Sequence, residues 1–226
     1  MRILHIDAGD RMRGGQWQAL RLVEGLAARG HEPVLLAAGG SPLLEHALEW
    51  KLSAMPLEPM LAVRLAAAAD LIHAHDSRSH TLTALIWRKP VVVSRRVGFP
   101  LHRGPFSRWK YRRARRYIAV SRHVADVLRA GGVPGEKVSV VYDGVPPLPR
   151  SEGGGRVVAP AIDDPAKGTA LAGRAAAMAG VQIHYTANLE ADLRDAAVFV
   201  YLTFTEGLGS AVLMAMAAGV AVVASN

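Results

Sequence analysis

The residues best suited to bind a charged ligand lie near the end of the chain, where one acid, two glycines and a hydroxyl group follow a hydrophobic segment. The order is Glu206, Gly207, Leu208, Gly209 and Ser210. It predicts a strand, a glycine-containing turn and a helix whose first backbone amides can bind a diphosphate. Glu206 can accept hydrogen bonds from sugar hydroxyls. Considered alone, the run is equally consistent with an ordinary turn, in which Glu206 is an acid favoured by the helix dipole.

A second glycine-containing segment follows the first hydrophobic segment of the chain. It begins at Gly9 like a P-loop, but Gly15 and Gln16 stand where that motif requires a lysine and a hydroxyl residue. The dinucleotide signature G-x-G-x-x-G is also missing. Gly14 and Gly15 still allow a phosphate to approach backbone amides at the start of a helix, although an ordinary tight turn is the simpler interpretation.

Histidines alternate at the end of another hydrophobic segment, at His73 and His75, followed by Asp76 and His80. Alternating histidines can ligate zinc, but a metal site needs further ligands and no second cluster is evident in the sequence. We therefore predict no metal site. We expect His75 or Asp76 to line a cleft, because ligands of parallel α/β sheets bind at the carboxyl ends of strands.

The elements that must position these residues alternate between short β-branched runs and alanine- or leucine-rich helical stretches. This order predicts an α/β protein with parallel sheets covered by helices. The predicted strands are 2–6, 33–37, 71–73, 90–94, 117–120, 138–142, 156–161, 181–185, 198–202 and 220–224. The predicted helices are 16–28, 81–87, 107–115, 122–130, 166–179, 189–196 and 210–218, with Ser121 as the N-cap of the fourth.

A segment rich in proline and glycine divides the chain. Three prolines and three consecutive glycines between Val145 and Gly155 cannot continue a helix or a central strand. We predict a Rossmann-like domain at 1–148, a linker at 149–155 and a second, smaller Rossmann-like domain at 156–226. Two such domains face one another across a cleft in many nucleotide-handling enzymes.

Composition limits the location and the chemistry of the protein. The 226 residues contain no cysteine, which excludes disulfides, thiolate metal sites and cysteine nucleophiles. No run of about 18 apolar residues predicts a membrane span. The first residues, Met1 to Asp7, predict a buried strand rather than a signal peptide. These features are consistent with a cytoplasmic protein.

The net charge of +8 is concentrated in one segment, Arg95–Arg116, which contains no acidic residue and has Phe99, Phe106, Trp109 and Tyr111 among its cations. The cations are Arg95, Arg96, Arg103, Arg108, Lys110, Arg112, Arg113, Arg115 and Arg116. Such a segment favours an anionic partner, either lipid headgroups, nucleic acid or a phosphorylated substrate. A solvated helix face is the equally weighted alternative. Nucleic acid is the weakest of these interpretations, because no nucleic-acid motif accompanies the charge.

The order of several segments resembles one known family. The run from Glu206 to Ser210 resembles the donor-binding signature of the family 4 retaining glycosyltransferases, which have the two-domain GT-B fold. Further segments resemble other parts of that family in the same order. They are the opening strand with Gly14-Gly15-Gln16, the segments 28–32, 118–121 and 138–145, and the lysine-glycine turn at Lys167. The resemblance covers most of the chain.

The resemblance implies a metal-independent hexosyltransferase without a cofactor, which moves a sugar from a nucleotide diphosphate donor to a lipid or saccharide acceptor with retention. It implies that Glu206 holds the sugar and is the catalytic residue, and that Lys167 neutralises donor phosphate. It further implies that amides from Gly207 to Ser210 bind the diphosphate and that Gly14 and Gly15 border the cleft. The expected setting is envelope polysaccharide or glycolipid assembly, peripheral to the inner face of the membrane through Arg95–Arg116.

The sequence departs from the family pattern at three positions. Met214 stands eight positions after Glu206, where the family has an acid for the ribose, and Ala161 stands where it has a phosphate-binding arginine. Arg95 or Arg96 replaces a histidine expected after a strand, so Arg96 is a cleft candidate. The second domain is also shortened, as in a reduced protein or a fragment. A non-catalytic binding or partner protein of GT-B type therefore stays open as the alternative, and uncovered apolar surface would favour a homo-oligomer.

Overall fold

Alternating strands and helices form two compact units, Met1–Tyr142 and Asp143–Asn226, in the computed structural model. The structure describes residues 1–86, 89–102, 104–162 and 164–225. Trp87 at the end of a predicted helix, Arg103 of the basic segment, Asp163 before the lysine-glycine turn and Asn226 at the end of the second predicted domain lie outside the described residues. Within the described ranges, no helix is long and apolar enough to cross a membrane.

The first unit is built on a sheet of seven parallel strands in the order β3-β2-β1-β4-β5-β6-β7. The strands are β1 (Arg2–Asp7), β2 (Glu32–Ala37), β3 (Ala54–Pro56), β4 (Leu71–Ala74), β5 (Val91–Arg95), β6 (Arg116–Ala119) and β7 (Val138–Val140). The central strand β1 is almost entirely buried, because its Ile3, Leu4 and Ile6 belong to the core. Apolar runs of this kind are typical of strands covered on both faces.

Helices join the strands of the first unit in the described ranges. They are α1 (Gly14–Ala27), α2 (Pro42–Glu49), α3 (Pro59–Ala68), α4 (Ser77–Ile86), α5 (Pro105–Arg113) and α6 (Arg122–Ala130). Ser121 caps α6 as predicted, since its hydroxyl accepts a hydrogen bond from the Val124 amide at 3.2 Å. The strand β3 and the helices α2 and α3 were not predicted from the sequence. The two helices begin at prolines, which suit the first helical turn.

The second unit has a smaller parallel sheet in the order β11-β10-β8-β9. Its strands are β8 (Arg156–Pro160), β9 (Ile183–Thr186), β10 (Ala196–Tyr201) and β11 (Ala221–Ala224), and its helices are α7 (Thr169–Ala179), α8 (Leu189–Asp192) and α9 (Ser210–Ala217). Val158, Phe199 and Tyr201 are buried in its core with Leu193 and Ala215. The predicted α/β class with two parallel sheets is therefore confirmed.

The segment predicted as a linker, 149–155, lies in the second unit. The Ser151 hydroxyl donates to the Ala196 carbonyl at 2.6 Å, and the Ser151 amide donates to the Ala218 carbonyl at 2.8 Å. Gly154 passes so close to Asp195 that a β-carbon at this position would overlap the Asp195 carboxylate. These contacts fasten the chain entering β8 to its own unit.

Candidate functional site

The strand order of the second sheet places two turns side by side. The chain runs from β8 outward to β9, and then returns to the other side of β8 as β10, so the order reverses between β8 and β10. Crevices outside the carboxyl ends of strands at such a reversal are the usual ligand sites of parallel sheets. The turn after β8 carries Lys167 and the turn after β10 carries Glu206. The topology therefore brings together the two side chains predicted to contact a donor.

Lys167 and Glu206 form an ion pair in which Lys167 Nζ lies 2.7 Å from Glu206 Oε2. The Tyr201 hydroxyl donates to the same oxygen at 2.6 Å, and the Gly207 amide donates to Glu206 Oε1 at 2.9 Å. Both carboxylate oxygens thus have donors. The Lys167 and Glu206 side chains keep about a quarter of their surface exposed, at 23% and 29%. A ligand can therefore reach both groups.

The ionised form of Glu206 is favoured by these contacts. Burial acts against the charge, but hydrogen bonds from Lys167, Tyr201 and the Gly207 amide outweigh burial and hold the pKa of Glu206 below its ordinary value. Burial and the contact with Glu206 raise the pKa of Tyr201, so its hydroxyl keeps its proton and acts as a donor. The Glu206 carboxylate is therefore a hydrogen-bond acceptor at neutral pH, as binding of sugar hydroxyls requires.

Gly168 allows the Lys167 turn to approach the end of β10. It has a φ of +62°, and a β-carbon placed there would lie 1.7 Å from the Leu202 carbonyl oxygen. The Phe204 amide donates to the Ala166 carbonyl at 2.9 Å, which ties the two turns together beside this close approach. Only glycine both adopts this positive φ without strain and leaves room for the Leu202 carbonyl.

The helix α9 begins at Ser210, directly after the donor-site candidates. Its N-cap residue is Gly209, in the left-handed region at φ +71°, and no side chain in the described part of the chain caps it. The first turn contains no acidic residue. Gly207 and Gly209 are buried, while Leu208 and Ser210 are half-buried. The first amides of α9 are therefore suited to an anion, and diphosphate binding by the segment from Gly207 to Ser210 stays a prediction.

Two of the three departures from the family pattern lie in the second unit. Met214 belongs to α9 and packs against the core cluster of the second unit. Ala161 follows β8 and is exposed, and its amide donates to the Thr186 carbonyl at 2.7 Å. Neither side chain offers a charge or a hydrogen bond to a ligand.

The first sheet has its own reversal of strand order, between β1 and β4. Asp7 ends β1 and is completely buried. Gln16 Nε2 donates to both carboxylate oxygens of Asp7, at 3.1 and 3.0 Å, and the Gly9 amide donates to Oδ1 at 2.9 Å. Burial raises the pKa of Asp7, and nearby Asp76 adds to this effect while the Gly9 and Gln16 contacts oppose it. Asp7 was not singled out from the sequence, because nothing local indicates that Gln16 would face it.

Asp76 connects the two strand ends at this reversal. Its Oδ2 accepts a hydrogen bond from the Ala8 amide at 2.7 Å, and its Oδ1 accepts from the Arg78 and Ser79 amides at 2.6 and 3.1 Å. The last two are N-cap contacts to α4. Asp76 therefore supports the loop after β1 and the start of α4.

Three buried imidazoles lie side by side on the first sheet. His5 and His73 are register partners on β1 and β4, and His75 follows β4. His5 Nδ1 lies 2.9 Å from His75 Nε2, and His73 Nε2 lies 2.8 Å from the Ser94 hydroxyl. Burial lowers the pKa of all three, to about 3 for His5, and the charge of Arg96 contributes. The three side chains are therefore uncharged at neutral pH.

Arg96 fixes the tautomers of this cluster. A guanidinium only donates, and Arg96 Nη1 lies 3.4 Å from His75 Nδ1, so that nitrogen is the acceptor. The His75 proton is then on Nε2 and is donated to His5 Nδ1. His5 carries its own proton on Nε2, which has no hydrogen-bond partner among the described residues.

The nitrogens of these three histidines lie within 4.8 Å of one another, which is close enough to consider a metal ion. The sequence analysis named His80 with His73 and His75, whereas the structure groups His5 with them. However, His73 and His75 stack face to face at 4.2 Å, and the His5 and His75 rings are nearly parallel at 17°. A metal ion lies in the ring plane of each histidine ligand, so stacked rings do not direct their lone pairs to one point. The geometry favours a hydrogen-bonded cluster.

The four cleft candidates of the first unit lie near one another. Gly14 and Gly15 begin α1, and the Arg96 side chain passes 3.6 Å from where a β-carbon of Gly15 would lie. Arg96 also contacts His75. The N-cap residue of α1 is Arg13, and among the residues that the structure describes no side chain caps this helix. The first unit therefore has an uncapped helix N-terminus beside a cation, as the second unit has at α9 and Lys167.

The basic segment forms α5 and the chain on either side of it. Phe106 and Trp109 are exposed and stack at 5.5 Å, with the Arg113 guanidinium 5.3 Å from the Trp109 ring centre. Lys110 is different, because it is buried and donates to the Ser77 carbonyl and the Thr81 hydroxyl at 3.2 and 2.9 Å. Lys110 therefore joins α5 to α4. The other cations of α5, Arg108, Arg112 and Arg113, are exposed arginines.

The sequence matches one protein family, and the structure matches solved structures of one fold. The sequence model described as Glycosyltransferase Family 4 matches residues 12–147. No curated protein matches the sequence significantly. The structure is similar to Anabaena HepE in complex with UDP and glucose, with a TM-score of 0.79 and 16% identity over 99% of this chain and 80% of that chain.

Two further solved structures have the same fold. A glycosyltransferase from Rickettsia africae has a TM-score of 0.73 and 12% identity, over 100% of this chain and 79% of that chain. The lipopolysaccharide outer core galactosyltransferase WaaB, in its apo form, has a TM-score of 0.63 and 12% identity, over 99% of this chain and 80% of that chain. The predicted GT-B fold is thereby confirmed, with a chain shorter than those it matches.

Proposed function

Because the match at residues 12–147 makes up more than half of the sequence, the chain belongs to glycosyltransferase family 4, and we propose that it transfers a sugar from a nucleoside diphosphate donor to an acceptor. The observation that carries this proposal is the meeting of Lys167 and Glu206 at the strand-order reversal of the second sheet, beside the uncapped N-terminus of α9. Cation, acceptor and free amides are the groups that a diphosphate-linked sugar needs.

UDP-glucose is the first donor to test, because the similar Anabaena HepE is in complex with UDP-glucose in one crystal structure. Lys167 and the amides from Gly207 to Ser210 bind the diphosphate, and Glu206 binds the sugar hydroxyls. As the nucleoside diphosphate leaves, negative charge grows on its terminal phosphate. Fixed cations and amides stabilise that charge in the transition state. This chemistry needs neither a cofactor nor a metal ion, and we propose that the sugar configuration is retained.

The acceptor is proposed to be a lipid or a saccharide at an anionic surface. The first unit contains 22 lysines and arginines against 11 aspartates and glutamates, a net charge of +11, while the second contains 5 against 8, a net charge of −3. The whole excess of positive charge therefore lies in the first unit. Exposed Phe106 and Trp109 next to arginines on α5 are suited to the headgroup region of a bilayer. We propose that α5 contacts the inner face of the membrane during envelope assembly.

The donor proposal is tested by differential scanning calorimetry with UDP, GDP, ADP and their common sugar conjugates. Calorimetry is preferred to fluorescence because all four tryptophans belong to the first unit, whereas the candidate donor residues belong to the second. A ligand present at 100 times its dissociation constant stabilises the folded state by about 2.7 kcal/mol. We expect a rise in melting temperature for one nucleotide family. No rise at millimolar concentration of any of them would contradict the proposal.

A non-catalytic relative is the second candidate function, favoured by Met214 and Ala161. Each missing charged contact weakens donor binding by about 1.5–3 kcal/mol, and two together by about 100-fold or more. The double variant Met214→Glu, Ala161→Arg separates the candidates in a transfer assay with radiolabelled donor. Activity that appears only in the double variant identifies a competent enzyme with a weakened donor site. A double variant without transfer or donor binding supports the non-catalytic protein.

A further inference from the structure

Tyr201 has no assigned role, yet it contacts the candidate donor site at two points. It is the last residue of β10 and only 7% of its surface is exposed. Its hydroxyl donates to Glu206 Oε2 at 2.6 Å. Its ring lies against Gly209, where a β-carbon would be 3.6 Å from Tyr201 Cε1. Tyr201 therefore touches both the carboxylate and the residue that begins α9.

The Tyr201 ring is held firmly by the core of its unit. It packs nearly parallel to Phe199, with ring centres 6.1 Å apart, and Phe199 is completely buried. A buried aromatic side chain has few accessible rotamers, so its hydroxyl is a donor in a fixed position. The Lys167 amine ends a flexible stem and can rotate to another acceptor.

Lys167 and Tyr201, the two hydrogen-bond donors to Glu206 Oε2, consequently respond differently when a nucleotide sugar binds. Under the proposed function, a diphosphate draws Lys167 Nζ away from Glu206, because a phosphate carries more negative charge than the carboxylate. Glu206 Oε2 then keeps one side-chain donor, the Tyr201 hydroxyl. The lone pairs of the Glu206 carboxylate that accept from neither Tyr201 nor the Gly207 amide are then available to sugar hydroxyls.

We propose that Tyr201 is a positioning residue, which holds the Glu206 carboxylate ionised and correctly oriented for the sugar when Lys167 turns to the diphosphate. The part of this proposal in which Lys167 turns to the diphosphate rests on the proposed function. The coupling between Tyr201 and Glu206 itself rests on the 2.6 Å contact and can be measured without any ligand.

The test compares wild type with Tyr201→Phe and with Tyr185→Phe as the matched control. Phenylalanine keeps the ring and removes only the hydroxyl. Tyr185 lies in the same unit and its hydroxyl donates at 3.3 Å to the Thr169 carbonyl, so the control loses a hydrogen bond that does not involve Glu206. The side-chain carboxyl carbons of ¹³C-labelled glutamate are followed by NMR from pH 3 to 8, and Glu206→Gln identifies the Glu206 signal.

We expect Tyr201→Phe to increase the proton affinity of Glu206 about tenfold, the usual effect of losing one charge-assisted hydrogen bond. Tyr185→Phe leaves it unchanged. A merely structural role for Tyr201 would lower the melting temperature without moving the Glu206 titration. An unchanged Glu206 titration in folded Tyr201→Phe overturns the proposal.

The donor step is tested by calorimetric titration with UDP-glucose at pH 7.5 and 5. In Tyr201→Phe we expect weaker binding at both values and a larger loss on acidification than in wild type, because Glu206 takes up a proton more readily. Equal affinities and equal pH dependence would overturn the positioning role. If wild type binds none of the nucleotide sugars while the Glu206 titration still moves, the donor proposal fails and the coupling of Tyr201 to Glu206 is supported.

Discussion

Lys167 is the residue whose charge the proposed donor chemistry most requires. Its amine lies 2.7 Å from Glu206 Oε2 and remains partly exposed, so it can be shared with an arriving diphosphate. Replacing Lys167 by methionine keeps most of the side-chain volume and removes the charge. We expect UDP-glucose affinity to fall about 10- to 100-fold, as measured by calorimetric titration.

The matched control for this variant is Arg174→Met, which removes a positive charge from an exposed position on α7 in the same unit. It should bind UDP-glucose as wild type does. An equal loss in both variants would mean that Lys167 acts only through the overall charge of the unit.

Gly168 is the residue whose missing side chain matters most for the same site. The substitution Gly168→Ala introduces both a strained φ and a collision with the Leu202 carbonyl. We expect a loss of about 3 kcal/mol in the free energy of unfolding, from about 1–2 kcal/mol of backbone strain and a similar cost of overpacking. Unfolding in urea, followed by circular dichroism, gives this value.

Gly180→Ala is the control for Gly168, because Gly180 has nearly the same φ of +66° with no atom within 4 Å of a β-carbon. Its free energy of unfolding should fall only by the cost of backbone strain, about 1–2 kcal/mol. If the two variants lose the same free energy, the close approach of the Lys167 turn to β10 is not rigid.

At the scale of elements, β1 and β4 carry a histidine cluster that makes the first unit sensitive to acid. The folded pKa of His5, His73 and His75 lies below the unfolded value of about 6.5. The unfolded chain therefore binds more protons as pH falls below 6.5, and stability is lost. Each histidine contributes about 1.4 kcal/mol per pH unit between about 6 and the folded pKa.

The measurement is urea unfolding between pH 7.5 and 5, followed by tryptophan fluorescence, which reports the first unit. Asp7 has a raised pKa and acts with the opposite sign, so slopes are compared between wild type and His5→Asn. We expect the variant to show a shallower slope, by about one proton. The same substitution at exposed His123 is the control. A slope that His5→Asn leaves unchanged would mean that His5 is charged in the folded protein.

The elements themselves were predictable where the local pattern is strong. Each predicted strand and helix has a counterpart in the structure, with boundaries that differ by at most four residues, because β-branched runs and alanine-rich runs differ in period. The three-residue strand β3 and the helices that begin at Pro42 and Pro59 were missed. Short elements between prolines give little local signal, and their existence depends on packing against α1 and the sheet.

At the scale of the whole molecule, the net positive charge lies in the first unit, and we propose that this unit contacts an anionic membrane. We expect binding to vesicles of phosphatidylglycerol and phosphatidylcholine that weakens as NaCl rises from 50 to 300 mM, with a blue shift of Trp109 emission. The variant Arg108→Ala, Arg112→Ala should bind roughly 30-fold more weakly, since each surface cation contributes about 1 kcal/mol.

The control removes two exposed arginines elsewhere in the same unit, Arg64 and Arg122. It changes the net charge by the same amount and leaves α5 intact. Equal weakening in both variants would assign the attraction to net charge and would contradict a specific contact through α5. Binding that is insensitive to salt would contradict an electrostatic contact altogether.

The sequence by itself determined the alternation of elements, the glycine turns and the identity of Lys167 and Glu206 as a cation and an acceptor in those turns. These features depend on neighbouring residues, so a linear pattern carries them. The tertiary structure alone decided that Lys167 meets Glu206, 39 positions away, and that Tyr201 shares the same oxygen.

The tertiary structure also decided which polar residues of the first unit face inward. His5 meets His75 across 70 positions, and Lys110 is buried against α4 although its neighbours in the basic segment are exposed. Such contacts follow from strand order and register, which bring distant residues within hydrogen-bond reach. Parallel pairing is set by the packing of the whole sheet, and no local run of residues encodes it.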